Sequence, residues 1–548
     1  MTSYLHPGVY VEEIPSGSKP IEGIATSIAV FIGYTKKGPL KDSTLISSWD
    51  QYEKSFGPRT DFVDPNSGLH DSMGNGVYAF FQNGGTTAYV VRLAVDDAAS
   101  SDPDKRLQKA QACHPNNSAS SEPFIEFAAV NEGTWANGLV VRISRRLLTL
   151  TSPPSPPRFD VQIGTITDVK IGSTTKQEFT QMERFTDVSF DEDDKRFLLS
   201  VINDGSALVS ANIEGASAIL LDQLENSLDQ GSPPKEYIEL TLSGGGNGVP
   251  STSSTDYDDV FAALTKVSDI NILILPGQYW AADGSGNPIL SSAIAHCELM
   301  KSRMVILDPP PETELADEND VINLILPTQT YCVTYYPWVK VANALYNPDT
   351  NPGADTTVWV APSSFAAGMW SKIDGRRGVW KAPAGVETNL LGAAGLQYTV
   401  GDAEQDFLNP LGVNALRTLP SYGPVIWGAR TLSTKANPEW RYVPVRRTAI
   451  FIEQSVYNGI QWAVFEPNDR PLWSSLQTNI ESFMLGLFRS GAFQGDKASD
   501  AFFVRCGLGA TMVQGDIDRG QVIVLIGFAP LKPAEFVIVR IQQTVGQQ

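Results

Sequence analysis

The 548-residue chain predicts a mixed α/β fold with a β-rich block set inside it. Three observations carry this. Between Asp258 and Leu307, helix-spaced apolar residues alternate with short continuous apolar runs, the pattern of a parallel α/β layer. Between Phe124 and Ile202, runs of β-branched and aromatic residues follow one another. Near the C-terminus, Leu472, Leu476, Ile480, Phe483, Met484, Leu487 and Phe488 recur at the spacing of one amphipathic helix of about four to five turns. The length exceeds that of a usual single domain, so two or three cores are expected.

In chain order, Tyr4 to Ile14 reads as a short strand, with Val9 and Val11 alternating against Tyr10 and Glu12 until Pro15-Ser16-Gly17 ends it. Ile28 to Tyr34 (IAVFIGY) is a buried-type strand, and Gly74 to Val91 gives a helix followed by the strand AYVVR. Asp96 to Ser121 turns polar and reads as a first linker. The β-rich block then holds Phe124–Arg145, Phe159–Ile163, Val169–Ile171 and Phe197–Ile202 as strand-like runs, interrupted by SPPSPP at Ser152–Pro157. SGGGNGVPSTSST at Ser243–Thr255 closes it as a second, flexible linker.

Beyond it, Val260, Phe261, Leu264 and Val267 share a helical face, with Ser253, Ser254 or Thr255 as the cap. The strand Ile270–Leu275, a helix holding Ile289, Ala293, Ile294, Cys297 and Met300, and the strand Met304–Leu307 follow. Thr448–Glu453 and Trp462–Phe465, rich in β-branched and aromatic residues, read as strands flanking the long helix. Glu466-Pro467-Asn468-Asp469 supplies the turn and N-cap ahead of it. Val522–Phe528 and Phe536–Gln542 are strands. The second has Val537, Val539 and Ile541 on one face and Phe536, Ile538 and Arg540 on the other. Such two-faced apolar ends aggregate unless covered or paired, and pairing with a neighbouring copy by β-augmentation is one solution.

Composition removes several function classes. A net charge of −20 repels nucleic acid and anionic lipid. Cys113, Cys297, Cys332 and Cys506 lie far apart with no C-x-x-C pair, which suits a reducing cytoplasm. Glu12 and Glu13 stand where a secretory signal needs an apolar core, and the uncharged run Val321–Val339 contains too many polar residues and prolines to span a membrane. GGGNG at Gly244–Gly248 lacks phosphate-loop spacing and reads as linker. His296, Cys297 and Glu298, adjacent on a helix, point to different faces, so core packing is expected for Cys297. The four histidines have no zinc spacing, and Asp191-Glu192-Asp193-Asp194 lacks the pattern of a calcium loop and reads as a solvated turn. Arg430, Arg441, Arg446 and Arg447 form a basic cluster for which ion pairing, with Glu439, Glu453 and Glu466 near in sequence, is favoured over anion binding. No catalytic residue, metal site or cofactor is expected.

Further motifs are HPGVYVEEIPSGSKPIEGIATSIAVFIGYTKKGP at His6–Pro39, GTWAN at Gly133–Asn137, YYPWVKV at Tyr335–Val341 and VAPSSFAAGMWSKIDGRRGVWKAPAG at Val360–Gly385. After them come LNPLGVNALR at Leu408–Arg417, GPVIWGARTLS at Gly423–Ser433, and RYVPVRRTAIFIEQSVYNGIQWAVFEPNDRPLW followed by a helix and GAFQGDKASDAFFVRCG. In this order, over most of Leu5–Ile541, the chain resembles the contractile tail sheath proteins of bacteriophage tails, R-type pyocins and phage-tail-like injection systems. Arg158–Leu242 matches least well.

The resemblance implies a discontinuous core built from both chain ends, with a β-rich middle domain inserted and facing outward. The expected parts are an exchange arm at 1–20, core at 21–100, the inserted domain with flexible linkers at 101–255, an α/β part of the core at 256–400, a tube-proximal domain at 401–534 and an exchange strand at 535–548. It implies that Val9, Tyr10, Val11 and Glu12 in the N-terminal arm, and Phe536, Val537, Ile538, Val539 and Ile541 in the C-terminal strand, are exchanged between adjacent subunits. The long helix would lie near the tube, with Gln477, Glu481, Arg489 and Lys497 as candidate tube-facing residues. The implied partners are further copies in a helical sheath, an inner tube protein, and baseplate and tail terminator or cap proteins, with no direct nucleic-acid contact or membrane insertion. The implied setting is assembly in the bacterial cytoplasm. A rival of a different class is an α/β enzyme or carbohydrate-binding surface protein whose β-rich insert carries the function.

Overall fold

The computed structural model describes residues 20–65, 68–115, 123–146, 157–171, 174–230, 232–433 and 437–535. At its centre lies an eight-stranded sheet in the order Ser43–Ile46, Ala88–Arg92, Ala29–Gly33, Ile272–Ile274, Met304–Leu307, Cys332–Tyr336, Val413–Leu419, Gly423–Ile426. The six inner strands run parallel and the two outermost pair antiparallel. AVFIG, MVIL and CVTYY are buried at every position, which is why they read as unbroken apolar runs rather than alternating ones. Helices Ser72–Gln82 and Pro362–Arg377 pack together against this sheet, as do Ser254–Leu264 and Pro288–Met300.

Residues 107–241 build separate sheets around a second core containing Phe127, Phe159, Leu198 and Leu220. One sheet has the order Thr174–Val188, Arg158–Ile171, Leu139–Arg146, Ile238–Thr241, and the other Val209–Glu214, Phe124–Ala129, Gln111–His114. A third core joins helices Val443–Gly459 and Arg470–Arg489 to the two-stranded sheet Phe502–Cys506 and Val524–Phe528, through Phe451, Ile480, Met484 and Val504.

Buried arginines hold the junctions between these parts. Arg92, fully buried at the end of a central strand, donates to the carbonyls of Gly38 (2.9 Å), Glu132 (2.8 Å) and Asn247 (3.3 Å), tying the central body to the second-core segment and to the chain returning from it. Burial pulls its pKa down to about 10, so it stays charged at neutral pH. Between the first and third cores, Arg447 donates to both oxygens of Asp374 (2.9 and 2.6 Å) and to the Thr26 carbonyl (2.8 Å), over the face of Trp370. The side chains of the pair are only 4% and 5% exposed.

Several sequence expectations are corrected. Ser243–Thr255 is no free linker: Gly246–Asn247 pairs with Leu107–Gln108, and Val249–Pro250 with Ala94–Val95. Its glycines permit close approach, since a Cβ on Gly246 would lie 2.3 Å from the Arg106 carbonyl oxygen. Part of the first polar stretch is likewise paired, at Leu107–Gln108 and Gln111–His114. Thr448–Glu453 is helical, inside Val443–Gly459, because ten consecutive residues from Val443 are buried from all sides and tertiary packing overrides β-propensity. Trp462–Phe465 begins within the 3-10 segment Gln461–Ala463 and ends in a turn. Phe197–Ile202 belongs to helix Leu198–Gly205, which buries Leu198 and Ile202 one turn apart. Of the arginine cluster, Arg447 and Arg430 form ion pairs with the distant Asp374 and Glu535, while the neighbouring Glu453 lies close enough to Arg446 for their charges to interact.

Two predictions follow from this packing. Asp374→Ala leaves Arg447 buried without a counter-ion and is expected to destabilise by about 3–5 kcal/mol; a fluorescence-detected denaturation midpoint equal to wild type refutes the junction role. The Asp308 carboxylate accepts from the Ser363 N–H (2.9 Å) and hydroxyl (2.7 Å) at the start of helix Pro362–Arg377, and burial pushes its pKa up to about 7. The folded chain therefore holds this proton where the unfolded chain has lost it, so stability falls as pH rises from about 4 to about 7. The melting temperature of wild type minus that of Asp308→Asn should decline across that window, and a pH-independent difference sinks the assignment.

Candidate assembly surface

The two-stranded sheet leaves an apolar face uncovered. Its register pairs Phe502 with Phe528, Phe503 with Gly527, Val504 with Ile526, Arg505 with Leu525 and Cys506 with Val524. Strand alternation sends Phe502, Val504, Val524, Ile526 and Phe528 inward against the Arg470–Arg489 helix. The same alternation leaves Phe503 (45% exposed), Arg505 and Leu525 (50%) on the outer face, next to exposed Ile523. The Phe503 ring lies over Gly527, where a Cβ would come within 2.3 Å of it, and the Arg505 guanidinium sits 5.2 Å from the ring centre. Among the described residues neither strand has a second partner, and no described strand occupies either outer edge of main-chain donors and acceptors.

Both chain ends are anchored nearby. Ile21 enters the third core and the Ile24 N–H donates to the Ser455 hydroxyl (3.2 Å) on helix Val443–Gly459. At the other end, the Arg430 guanidinium grips both oxygens of the Glu535 carboxylate. The exchange-arm residues Val9, Tyr10, Val11, Glu12, Phe536, Val537, Ile538, Val539 and Ile541 lie outside the described residues.

The candidate tube-facing residues fall on one helix and the loop after it. Asp469 caps that helix, accepting from the Leu472 N–H (3.2 Å), as its sequence position suggested. Gln477 and Glu481 are half-buried one turn apart, with the Gln477 amide donating to Glu481 (2.8 Å). Arg489 is exposed in the last turn, favourable at a helix C-terminus, and exposed Lys497 precedes the short helix Ala498–Ala501. Only Gln477 and Glu481 are brought into contact with each other. Sequence reasoning missed the outer face of Phe503, Ile523 and Leu525, although alternation in FFVRC and VLIG signalled it. It also missed Phe465, which is fully exposed at φ 69° beside exposed Val464.

The groups weighed for chemistry pack structurally. Cys297 is fully buried and its thiol is pushed up to about 12 by burial. His296 is pushed down to about 4, by burial first and by the Arg303 charge second, with their nitrogens 3.1 Å apart. Among the described residues no three metal-ligating side chains converge, and no helix is long and apolar enough to cross a membrane.

This sheet edge, with Ile21 and Glu535 anchored near it, is the candidate assembly surface among the described residues. A model of the phage tail sheath protein central domain matches residues 251–432, and one of the phage tail sheath C-terminal domain matches 435–544. Together they take in more than half of the chain, which belongs to the contractile tail sheath family. The fold is similar to that of the PVC sheath complex of an extracellular contractile injection system in its contracted state, at 22% identity and TM-score 0.55 over 100% of this chain and 99% of that one. It is similar to the contracted helical sheath of the anti-feeding prophage, at 22% identity and TM-score 0.54 over 99% and 100%. The sheath tail protein of Listeria innocua matches at 11% identity and TM-score 0.56 over 93% and 96%. No curated protein sequence matches the chain.

The two faces of the small sheet predict opposite outcomes. Val504→Ala on the inner face should cost about 1–3 kcal/mol, whereas Leu525→Ser on the outer face should stay within about 0.5 kcal/mol. Thermal melts of the unassembled protein in the reverse order would exchange the faces.

Proposed function

We propose that this protein is the structural subunit of a contractile sheath, polymerising helically around an inner tube and shortening to drive that tube through a target envelope. The observation that carries the reading, beside family membership, is the open two-stranded sheet Phe502–Cys506/Val524–Phe528 with its uncovered apolar face. Strand-like segments at the two chain ends match what such edges accept: residues 9–12 from one neighbour and 536–541 from another would add by main-chain pairing. A seven-residue strand contributes on the order of 3–5 kcal/mol at about 1 kcal/mol per net hydrogen bond, so a stable lattice needs several arms at once.

In this mechanism the body is a core built from both chain ends with the second core inserted and facing outward. Subunits assemble in an extended, metastable lattice. A signal from the baseplate releases them into a shorter and wider lattice, the arms staying linked while the bodies rotate. Gln477, Glu481, Arg489 and Lys497 would face the inner tube protein, and baseplate and terminator proteins would close the two ends. Assembly would take place in the bacterial cytoplasm, and the finished sheath would be part of a phage tail or injection particle. The stroke draws on stored lattice free energy and calls for no cofactor.

The test is negative-stain electron microscopy of the protein expressed alone, beside a variant lacking Met1–Ser16. Hollow striated tubes from the full chain and none from the truncation are expected. Tubes from both would remove the N-terminal arm from the mechanism, and a small monodisperse particle from the full chain under assembly conditions would overturn the sheath reading.

A further inference from the structure

A cleft of about 940 Å³ opens between the central-sheet body and the C-terminal helices. Three of its sides come from within residues 377–385, 402–410 and 427–430, and a fourth includes Ser490 and Gly491. The remaining side is the chain itself as it leaves the small sheet, Leu531 to Glu535. Upstream this segment is tied down at Pro530, which bridges to Phe493, and at Ala529, whose carbonyl accepts from the Gln494 N–H (2.9 Å). A strand of chain flanking an open cleft gains little from packing, so what fixes its far end is the side chain of Glu535.

That side chain is held on three counts. Arg430 donates through Nε (2.9 Å) and Nη2 to the two carboxylate oxygens, and the Tyr442 hydroxyl lies 3.2 Å from Oε2. Only 9% of the Arg430 side chain and 15% of the Glu535 side chain are exposed, so solvent screens the pair little. Arg430 is itself immobilised. Its Nη1 donates to the Asn409 carbonyl (3.0 Å), its N–H to Asn414 Oδ1 (2.7 Å), and its carbonyl accepts from Asn414 Nδ2 (2.8 Å). Asn414 is fully buried in the parallel strand Val413–Leu419 and reaches the Thr334 carbonyl on the next strand (3.0 Å). A continuous set of directed bonds therefore runs from Glu535 through Arg430 and Asn414 into two strands of the central sheet.

We infer that the Arg430–Glu535–Tyr442 clamp is the fixed root of the C-terminal segment, setting where residues 536–548 leave the body and passing tension on them into the central sheet. The inference rests on the sheath reading above, in which that segment pairs with a neighbouring subunit. A segment whose root is fixed has less freedom to lose on pairing than one released at Pro530, and ordering even one extra residue is worth about a tenfold change in an equilibrium. These are positioning residues: they act on assembly through residues 536–548.

The experiment measures the critical concentration for polymerisation of the full-length chain by sedimentation, for wild type, Glu535→Ala and Tyr442→Phe. The melting temperature of each unassembled protein is measured in parallel. Expected are a critical concentration raised at least tenfold by Glu535→Ala and about threefold by Tyr442→Phe, with Tyr442→Phe melting as wild type and Glu535→Ala, which leaves Arg430 short of a counter-ion, still fully folded at the assay temperature. A Glu535→Ala critical concentration within twofold of wild type overturns the clamp and leaves the sheath reading standing. A loss of assembly that tracks a fall in melting temperature in both variants also overturns it, since the residues would then serve only folding. A wild-type chain that never polymerises overturns the sheath reading and this inference with it.

Discussion

The constraint on which the rest depends is that arginine guanidinium groups, together with apolar contacts, close the joints of this molecule. Arg92 and Arg303 are fully buried, and Arg446 and Arg447 nearly so. Burying a cation is expensive unless its donors are used. Arg303 donates to the carbonyls of Leu264 (3.2 Å) and Val267 (2.6 Å), fastening the end of one helix to the start of the next strand. Arg446 lies between the rings of Tyr331 and Trp440, at 3.9 and 4.4 Å, where a desolvated cation gains from the aromatic faces. Because a guanidinium presents five donors in a fixed fork, each site accepts its surroundings in one arrangement only. Apolar surfaces can slide across one another; a fork that grips carbonyls of three separate segments does not.

That property matters for a subunit that works by rigid-body rotation, the mechanism proposed here. Free energy stored in a lattice reaches the tube only if the bodies move without deforming. Three cores joined by soft linkers would dissipate it in internal bending. Arg92 fastens the second core to the central sheet through Glu132 and Asn247, and the Asn247 side chain in turn accepts from the Thr134 N–H (2.9 Å) in the GTWAN motif. Arg447 and Asp374 fasten the third core and also hold Thr26, so the N-terminal segment leaves from a fixed position. In the proposed mechanism, motion would then be confined to the contacts between subunits.

How much of this could be read from the sequence depended on whether a segment has one buried side or several. The Arg470–Arg489 helix was legible because Leu472, Leu476, Ile480, Met484 and Leu487 line one face while the other stays polar. The strands of the parallel layer were legible from their unbroken apolar runs and helical neighbours. The Val443–Gly459 helix was not, because its first ten residues are enclosed by two cores and show no period of 3.6. GGGNG at 244–248 misled for a related reason: glycine marks flexibility and close backbone approach alike, and only the Arg106 carbonyl behind Gly246 tells them apart. For the arginine cluster the chemistry was legible and the partners were not. Asp374 and Glu535 lie 73 and 105 residues from Arg447 and Arg430, beyond any reading of local charge. In the candidate surface, the N-cap and the helix could be seen in advance, whereas the open edges of the small sheet could not, since a missing strand partner leaves no trace in local sequence.

Those open edges raise the question of why the free subunit does not associate indiscriminately. The strands answer it in their length and decoration. Each has only five residues, so any one added strand gains few main-chain bonds. Arg505 stands opposite Leu525 on the outer face, placing a charge inside the apolar patch where a mismatched partner would have to desolvate it. Phe503 folds over Gly527 and covers that part of the outer face with its own ring. A single encounter is therefore weak. In the proposed lattice, binding would become strong only when arms from more than one neighbour engage together and each raises the effective concentration of the next. In the proposed lattice, the features that weaken a single encounter would thus be the same ones that make polymerisation cooperative.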